Sequence, residues 1–191
     1  PIAETRIFQA YTFPSTHDGL NAIRNFIHKG LRPAVVRLYD EVEAVPKISS
    51  YGFEKGFVLL ILVFEGNKEM SELEAGMTKE ICLGNNGRYK GELAAREWLE
   101  TRFSTKKMLD FDAIKGGTAD AIEVAAPWDC IENVWREMRK ALEPMCTVVD
   151  CHFSHVYHNG ASVYVIYHAK TDGDDKAGEE RYLQCLDTAI Q

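Results

Sequence analysis

Four of the chain's six histidines fall between Asp150 and Lys170, in the run Asp-Cys-His-Phe-Ser-His-Val-Tyr-His-Asn-Gly-Ala-Ser-Val-Tyr-Val-Ile-Tyr-His-Ala-Lys. An imidazole exchanges a proton near neutral pH and can donate to developing negative charge, so acid–base work or anion binding is the chemistry this stretch offers. Asn159-Gly160 predicts two β-strands joined by a tight type I′ turn, because both turn positions need positive φ. Regular alternation then puts His152, Ser154 and Val156 on one face and Phe153, His155 and Tyr157 on the other. That separation argues against a metal centre, which needs three or four ligands converging on one point. For any single histidine the alternative is a hydrogen bond made within the fold.

The elements around this run must bury a core, and 191 residues suffice for one domain or two small fused halves. A formal net charge of −7 argues against a nucleic-acid partner, which would require a basic face. Five cysteines without a Cys-x-x-Cys pair indicate neither a disulfide framework nor a zinc ribbon, and fit a reducing, cytoplasmic setting. The longest apolar run, Phe57 to Phe64, is too short to cross a bilayer and reads as a buried strand. No signal peptide is recognisable. The chain opens on Pro1 rather than Met, and Gln191 falls inside an apparent helix, so the expectation is a piece of a longer polypeptide.

Strands are expected at Glu4–Phe13, Pro33–Asp40, Phe57–Phe64 and Ala119–Ala126, besides the two of the hairpin. A helix capped by Ser15 or Thr16 carries Leu20, Ile23, Phe26 and Ile27 and stops at Gly30. A second, capped by Asn67, carries Met70, Leu73, Met77 and Ile81 at helical spacing, and a third runs from Glu92 to about Phe103. A fourth begins near Pro127 and Asp129 and carries Ile131, Val134, Trp135, Met138 and Leu142 up to Pro144. Thr171–Gly178 reads as a polar linker before a last helix with Tyr182, Leu183, Leu186 and Ile190. Residues 104–117 read as a loop. Strand, helix, strand, strand, helix, written twice, is the order of a duplicated ferredoxin-like unit, which predicts an α+β fold with an antiparallel sheet and helices packed on one face.

Several short motifs, in order, resemble one family. Pro1-Ile2 with Glu4, Phe13-Pro14, Arg37-Leu38 with Asp40, Val63-Phe64-Glu65-Gly66, Ala126-Pro127-Trp128-Asp129 and the hairpin with Tyr157, Gly160-Ala161 and Tyr164 are similar to the C-terminal cap domain of FAD-linked oxidases. The likeness within the vanillyl-alcohol oxidase superfamily is greatest to the alkyldihydroxyacetonephosphate synthases and their bacterial relatives. The resemblance implies that residues 1–191 form the cap, or substrate, domain. It also implies that the partners are an N-terminal FAD-binding domain of the same polypeptide and a small-molecule substrate. Neither that domain nor the histidine-rich segment that follows in the family is contained here, so this fragment is expected to hold no FAD and to be inert alone. A homodimer is compatible with all of this.

Under that resemblance the substrate is a small hydroxy acid, an alcohol or a phosphorylated ketone. His152 and Tyr157 are the candidate catalytic residues. Arg37, Ser154, His155, Trp98 and Arg102 are the candidate substrate contacts, Arg37 and His152 the candidate cofactor contacts, and no metal is expected. His152 stands where the eukaryotic ether-lipid synthases of the family carry an arginine, which exchanges a permanent bidentate clamp for a titratable donor. Each residue also has a structural reading. Arg37 can pair with Asp40 or Glu123 as scaffolding, and Tyr157 and Tyr164 can pack across strands. Trp128 and Trp135 can be core or interface residues, and Trp98 with Arg102 a solvated helix face. The competing function is a stand-alone ferredoxin-like module that dimerises through its sheet and binds a small effector. A Gly-rich flavin loop upstream in the parent gene separates the two.

Overall fold

Alternating apolar side chains on long strands set the architecture of the chain, which is described here from a computed structural model for residues 3–54, 56–104 and 115–191. Among these residues seven strands, β1 (Thr5–Phe13), β2 (Val35–Tyr39), β3 (Val58–Gly66), β4 (Arg88–Tyr89), β5 (Gly117–Pro127), β6 (Val148–Ser154) and β7 (Gly160–Lys170), form one sheet in the order β4-β1-β3-β2-β6-β7-β5. Every neighbouring pair is antiparallel. The helices are α1 (Thr16–His28), α2 (Glu41–Ser50), α3 (Lys68–Gly84), α4 (Leu93–Thr101), α5 (Ile131–Leu142) and α6 (Asp175–Ile190). The expected duplication is present. β1-α1-β2-β3-α3-β4 makes one ferredoxin-like unit, and β5-α5-β6-β7-α6 repeats it with β6 in the place of β2. The units join where β2 meets β6, pairing Leu38 with Phe153 and Tyr39 with His152.

The two faces of the sheet differ. On one, Leu38, Leu60, Phe153, Val163 and Val165 point into a large core with Phe26, Trp135, Leu142 and Cys185, under α1, α3, α5 and α6. On the other, Phe8, Ala10, Tyr39, Leu59, Ile61 and Val63 are covered by Ala44 and Ile48 of α2 and by Ala94 and Ala95 of α4. The expectation of helices on one face therefore holds for four of the six, with α2 and α4 on the reverse. That reverse cover lies over β1 to β3 and, through α2, over β6. On β5 and β7 the same face keeps Glu123 and Ala125 exposed and Tyr164 half-buried. Among the described residues the sheet thus offers one open half-face, and it carries Tyr164 of the hairpin.

Three local expectations change. Pro127 closes β5 rather than opening a helix, and α5 begins at Ile131 without a side-chain cap. The last helix starts at Asp175, capped by Asp174, inside the segment expected to be linker. In α3 the side chains buried on the sheet are Ser71, Ala75, Thr78 and Cys82, while Met70 and Leu73 are exposed. Small residues let a helix axis approach the sheet closely, and that contact outweighs the larger apolar stripe on the next face of the helix. Of the expected loop at 104–117, residues 105–114 lie outside the described residues, and Gly117 already belongs to β5.

Candidate functional site

Register places four side chains in one line along the reverse face, from its covered part to its open half: Tyr39 of β2, His152 of β6, Tyr164 of β7 and Glu123 of β5. Directly opposed residues on antiparallel strands touch, so these groups are neighbours by construction. The His152 ring, only 3% exposed, stacks on Tyr164 with centroids 4.8 Å apart and an interplanar angle of 13°. The Tyr39 ring meets it edge-on at 6.1 Å. Tyr164 Oη lies 3.2 Å from His155 Nδ1, which in turn lies 3.5 Å from Glu123 Oε1. Burial, with the carboxylate of Glu123 acting in the same direction, pushes the Tyr164 phenol up to about 12. It stays protonated and able to donate.

The turn between the strands is not the tight Asn-Gly turn expected. Residues 155–159 form a longer connection, and neither Asn159 nor Gly160 has a positive φ. The left-handed residue is His155, at φ 48°. This ends the strand alternation after Ser154 and swings His155 toward Tyr164, instead of to the face opposite His152. Gly160 is required for another reason, since a Cβ there would run into the carbonyl oxygen of Ala126 across the β5–β7 ladder.

The partner that orients His152 comes from α2, an element the sequence reading left out. Asp40 caps this helix, its Oδ1 accepting from the amides of Val42 and Glu43 at 3.1 and 2.9 Å. One turn in, Glu43 places Oε2 2.8 Å from His152 Nδ1. Burial would raise the Glu43 carboxyl, but the hydrogen bond and charge of His152, with Arg37 and Lys47, hold it below the usual range, so it is ionised. Burial lowers the pKa of His152, the hydrogen bond and charge of Glu43 raise it, and Arg37 and Lys47 lower it further, so that the net shift is downward. His152 is therefore neutral at pH 7. With an ionised carboxylate against it, Nδ1 carries the proton and donates to Glu43, which leaves the lone pair on Nε2.

Arg37 Nη2 also lies 3.1 Å from His152 Nδ1. That nitrogen already bears a hydrogen, so it cannot accept from the guanidinium. Arg37 Nε is buried without a hydrogen-bond partner among the described residues. A half-buried guanidinium with a donor to spare is a ready site for an anionic group. The expected partner Asp40 is engaged elsewhere, with Arg139 at 3.6 Å and Trp135 Nε1 at 3.4 Å.

Asp40 has a consequence for stability. It is fully buried, and that burial pushes its carboxyl up to about 6, against the pull of the Glu43 amide and Arg139. A carboxyl that binds its proton more tightly when folded stabilises the fold fully below its unfolded pKa, and loses that contribution as pH rises through the folded value. Asp40→Asn in the full-length protein should therefore remove a stability loss of about 3 kcal/mol between pH 4 and 7. Urea midpoints of parent and variant across that range test this. Parallel curves would refute it.

The other candidate residues divide. Ser154 is buried at the end of β6, one strand step beyond His152 on the same face. Tyr157 is 62% exposed in the 155–159 connection, where its carbonyl and that of His158 accept from Trp128 Nε1. Trp98 lines a concavity of about 360 Å³ between α2 and α4 with Tyr39, Lys47, Tyr51, Leu59 and Ile61, so it shares Tyr39 with the His152 line. Arg102, at the end of α4, is exposed and lies over the Trp98 and Phe103 rings. Trp135 is a core residue, packed edge-on against Phe153. No group of three or more His, Cys, Asp or Glu among the described residues is placed to hold a metal ion.

Comparison with known proteins bears on this arrangement. Residues 2–191 match the family of FAD linked oxidases, C-terminal domain. The chain belongs to this family. Curated relatives of this FAD-linked oxidase domain include an uncharacterized FAD-linked oxidoreductase, YgcU, of Escherichia coli K12, 24% identical over 182 residues, covering 86% of this chain and 36% of YgcU. Alkyldihydroxyacetonephosphate synthase of Trypanosoma brucei brucei is 20% identical over 195 residues, with 87% and 32% covered. The domain thus spans about a third of the length of the curated relatives it matches. Among solved structures, an alkyldihydroxyacetonephosphate synthase superposes with TM-score 0.78 at 19% identity over 97% of this chain and 39% of its own. 4-Ethylphenol oxidase from Gulosibacter chungangensis superposes with 0.71 at 12% identity over 100% and 44%. These structural matches show the α+β fold that the sequence order predicts. As a C-terminal domain of FAD-linked oxidoreductases, the chain is the kind of domain that works beside an FAD-binding domain, and FAD is the cofactor of the enzymes that contain it. No described helix is long and apolar enough to cross a membrane.

Glu43 and the helix that holds it were missed by sequence reasoning. Asp40-x-x-Glu43 has the spacing of a helix N-terminal capping box, which was a usable signal. Pro46, inside α2, masked it, because a proline in mid-helix removes a hydrogen bond and normally argues against the element.

Proposed function

We propose that residues 1–191 are the cap domain of a flavoenzyme, and that His152, oriented by Glu43, takes the hydroxyl proton of a small substrate whose anionic group Arg37 binds. The observation that carries this reading is the buried pairing of Glu43 Oε2 with His152 Nδ1 at 2.8 Å, beside a guanidinium whose Nε has no partner among the described residues. An ionised carboxylate fixes the imidazole tautomer and leaves Nε2 basic, the arrangement a general base requires. A neutral histidine also suits abstraction of a proton at neutral pH better than a phosphate clamp, which favours a hydroxy acid or alcohol over a phosphorylated ketone. Bound FAD supplies the hydride acceptor, and its nearest contacts from this chain would be Arg37 and His152. Ser154, the protonated phenol of Tyr164 and His155 complete a polar wall, while Trp98 lines the concavity between α2 and α4 and Arg102 lies over its ring. Tyr157, out on the connection, has a role at the rim of the site. A cytoplasmic location accords with the free thiols.

The test is made on the full-length protein. It should show flavin absorbance near about 450 nm that hydroxy acids or alcohols bleach without oxygen. Arg37→Met should raise the substrate concentration for half-maximal bleaching by about 10- to 150-fold, the loss of a charged hydrogen bond. Failure of every hydroxy acid and alcohol to bleach the flavin, or an unchanged concentration dependence in the variant, would overturn the assignment.

A further inference from the structure

We propose that Cys146 and Cys185 are an oxidation site, at which a peroxide converts two thiols into a disulfide that ties α6 to the root of β6. Their sulfurs lie 3.6 Å apart, already in contact. They are 39 residues apart in the chain and come from different elements: Cys146 follows the short 3-10 turn Glu143–Met145 just before β6, and Cys185 is in the middle of α6. Cys146 is half-buried and reachable, whereas Cys185 is fully buried directly behind it. Arg181 Nη1 donates to the Met145 carbonyl at 2.6 Å, which pins α6 to the turn and places a cation near both sulfurs. No other cysteine pair among the described residues is in contact; Cys82 and Cys151 are buried, and Cys130 is exposed. The pair belongs to the helical layer, on the other side of the sheet from His152.

The chemistry balances. The Cys146 sulfur attacks one oxygen of the peroxide, the O–O bond breaks, and hydroxide leaves with a sulfenic acid on Cys146. The Cys185 sulfur then attacks the Cys146 sulfur, the S–O bond breaks, and water departs. In sum, two thiols and hydrogen peroxide give one disulfide and two waters, with two electrons passing from sulfur to oxygen. Burial keeps the Cys146 thiol up at about 12, so the first step is slow and the exposed Cys130 reacts ahead of it. Cys130 has no resolving thiol and should proceed along the acid ladder instead.

The experiment treats the full-length flavoprotein with hydrogen peroxide, alkylates it in denaturant and maps the peptides. The expected result is one linked peptide pair, Cys146 to Cys185, two hydrogens lighter than the reduced peptides and reversed by dithiothreitol. Two of this chain's five thiols should be lost to the alkylating agent together. In Cys185→Ser, Cys146 should instead pass on to the sulfinic acid. Both thiols still alkylated after Cys130 is consumed, or Cys146 oxidised to the sulfinic acid in the parent while Cys185 stays free, would overturn the proposal.

Discussion

Flavin reduction in the full-length enzyme should slow by roughly a hundredfold or more when His152 is replaced by alanine, which is what removal of a general base costs. The imidazole is buried between Tyr39 and Tyr164, so the variant should be compared with His152→Gln, which fills much of the space without supplying the base. Both should be slow if His152 transfers a proton, whereas only the alanine variant should be slow if it merely packs. Glu43→Gln provides a separate reading through pH. The glutamate is the influence that raises the histidine's pKa against burial. Its neutral replacement therefore makes His152 harder to protonate and a weaker base. The acid limb of the pH–rate profile should move to lower pH, and the plateau should fall together with it. An acid limb that stays in place in Glu43→Gln would remove this pair from the mechanism.

Gly160→Ala should destabilise the domain by about 3 kcal/mol, as severe overpacking of an interior does. The new methyl would be driven into the Ala126 carbonyl oxygen and would lie within 3.0 Å of Pro127 Cα, both backbone of β5. Backbone cannot rotate away as a side chain can, so the end of the β5–β7 ladder has to open. That ladder runs in register from Gly117 with Lys170 to Pro127 with Gly160, and it carries both Glu123 and Tyr164. The same variant should therefore weaken the site as well as the fold. Thermal melts of the flavoprotein with and without the substitution decide the matter; a melt unchanged within error would show that the sheet end yields freely.

Much of the fold was legible because it rests on local rules. The run from Phe57 to Phe64 announces a strand buried on both faces, and β3 is one, buried from Val58 to Phe64. Ser15 and Asn67 announce caps, and both accept from a backbone amide three residues on. Asn159-Gly160 misled because the same glycine that suits a positive φ also suits a close backbone approach, and a sequence does not distinguish those demands. The apolar stripe of α3 misled for a related reason. Periodicity reports which residues can share a face, whereas packing chooses the face that comes nearest to the sheet.

By itself the sequence determined the family, the doubled order of strands and helices, and the presence of His152 and Arg37 on strands that could meet. Local propensity and spacing along the chain are enough for these. Only the tertiary structure decided that Glu43, 109 residues away, orients His152 while burial keeps it neutral, and that a left-handed His155 joins it through Tyr164. The physical reason is that a protonation state depends on burial and on charges gathered through space. No spacing along one strand contains that information until two strands and a helix have been brought together.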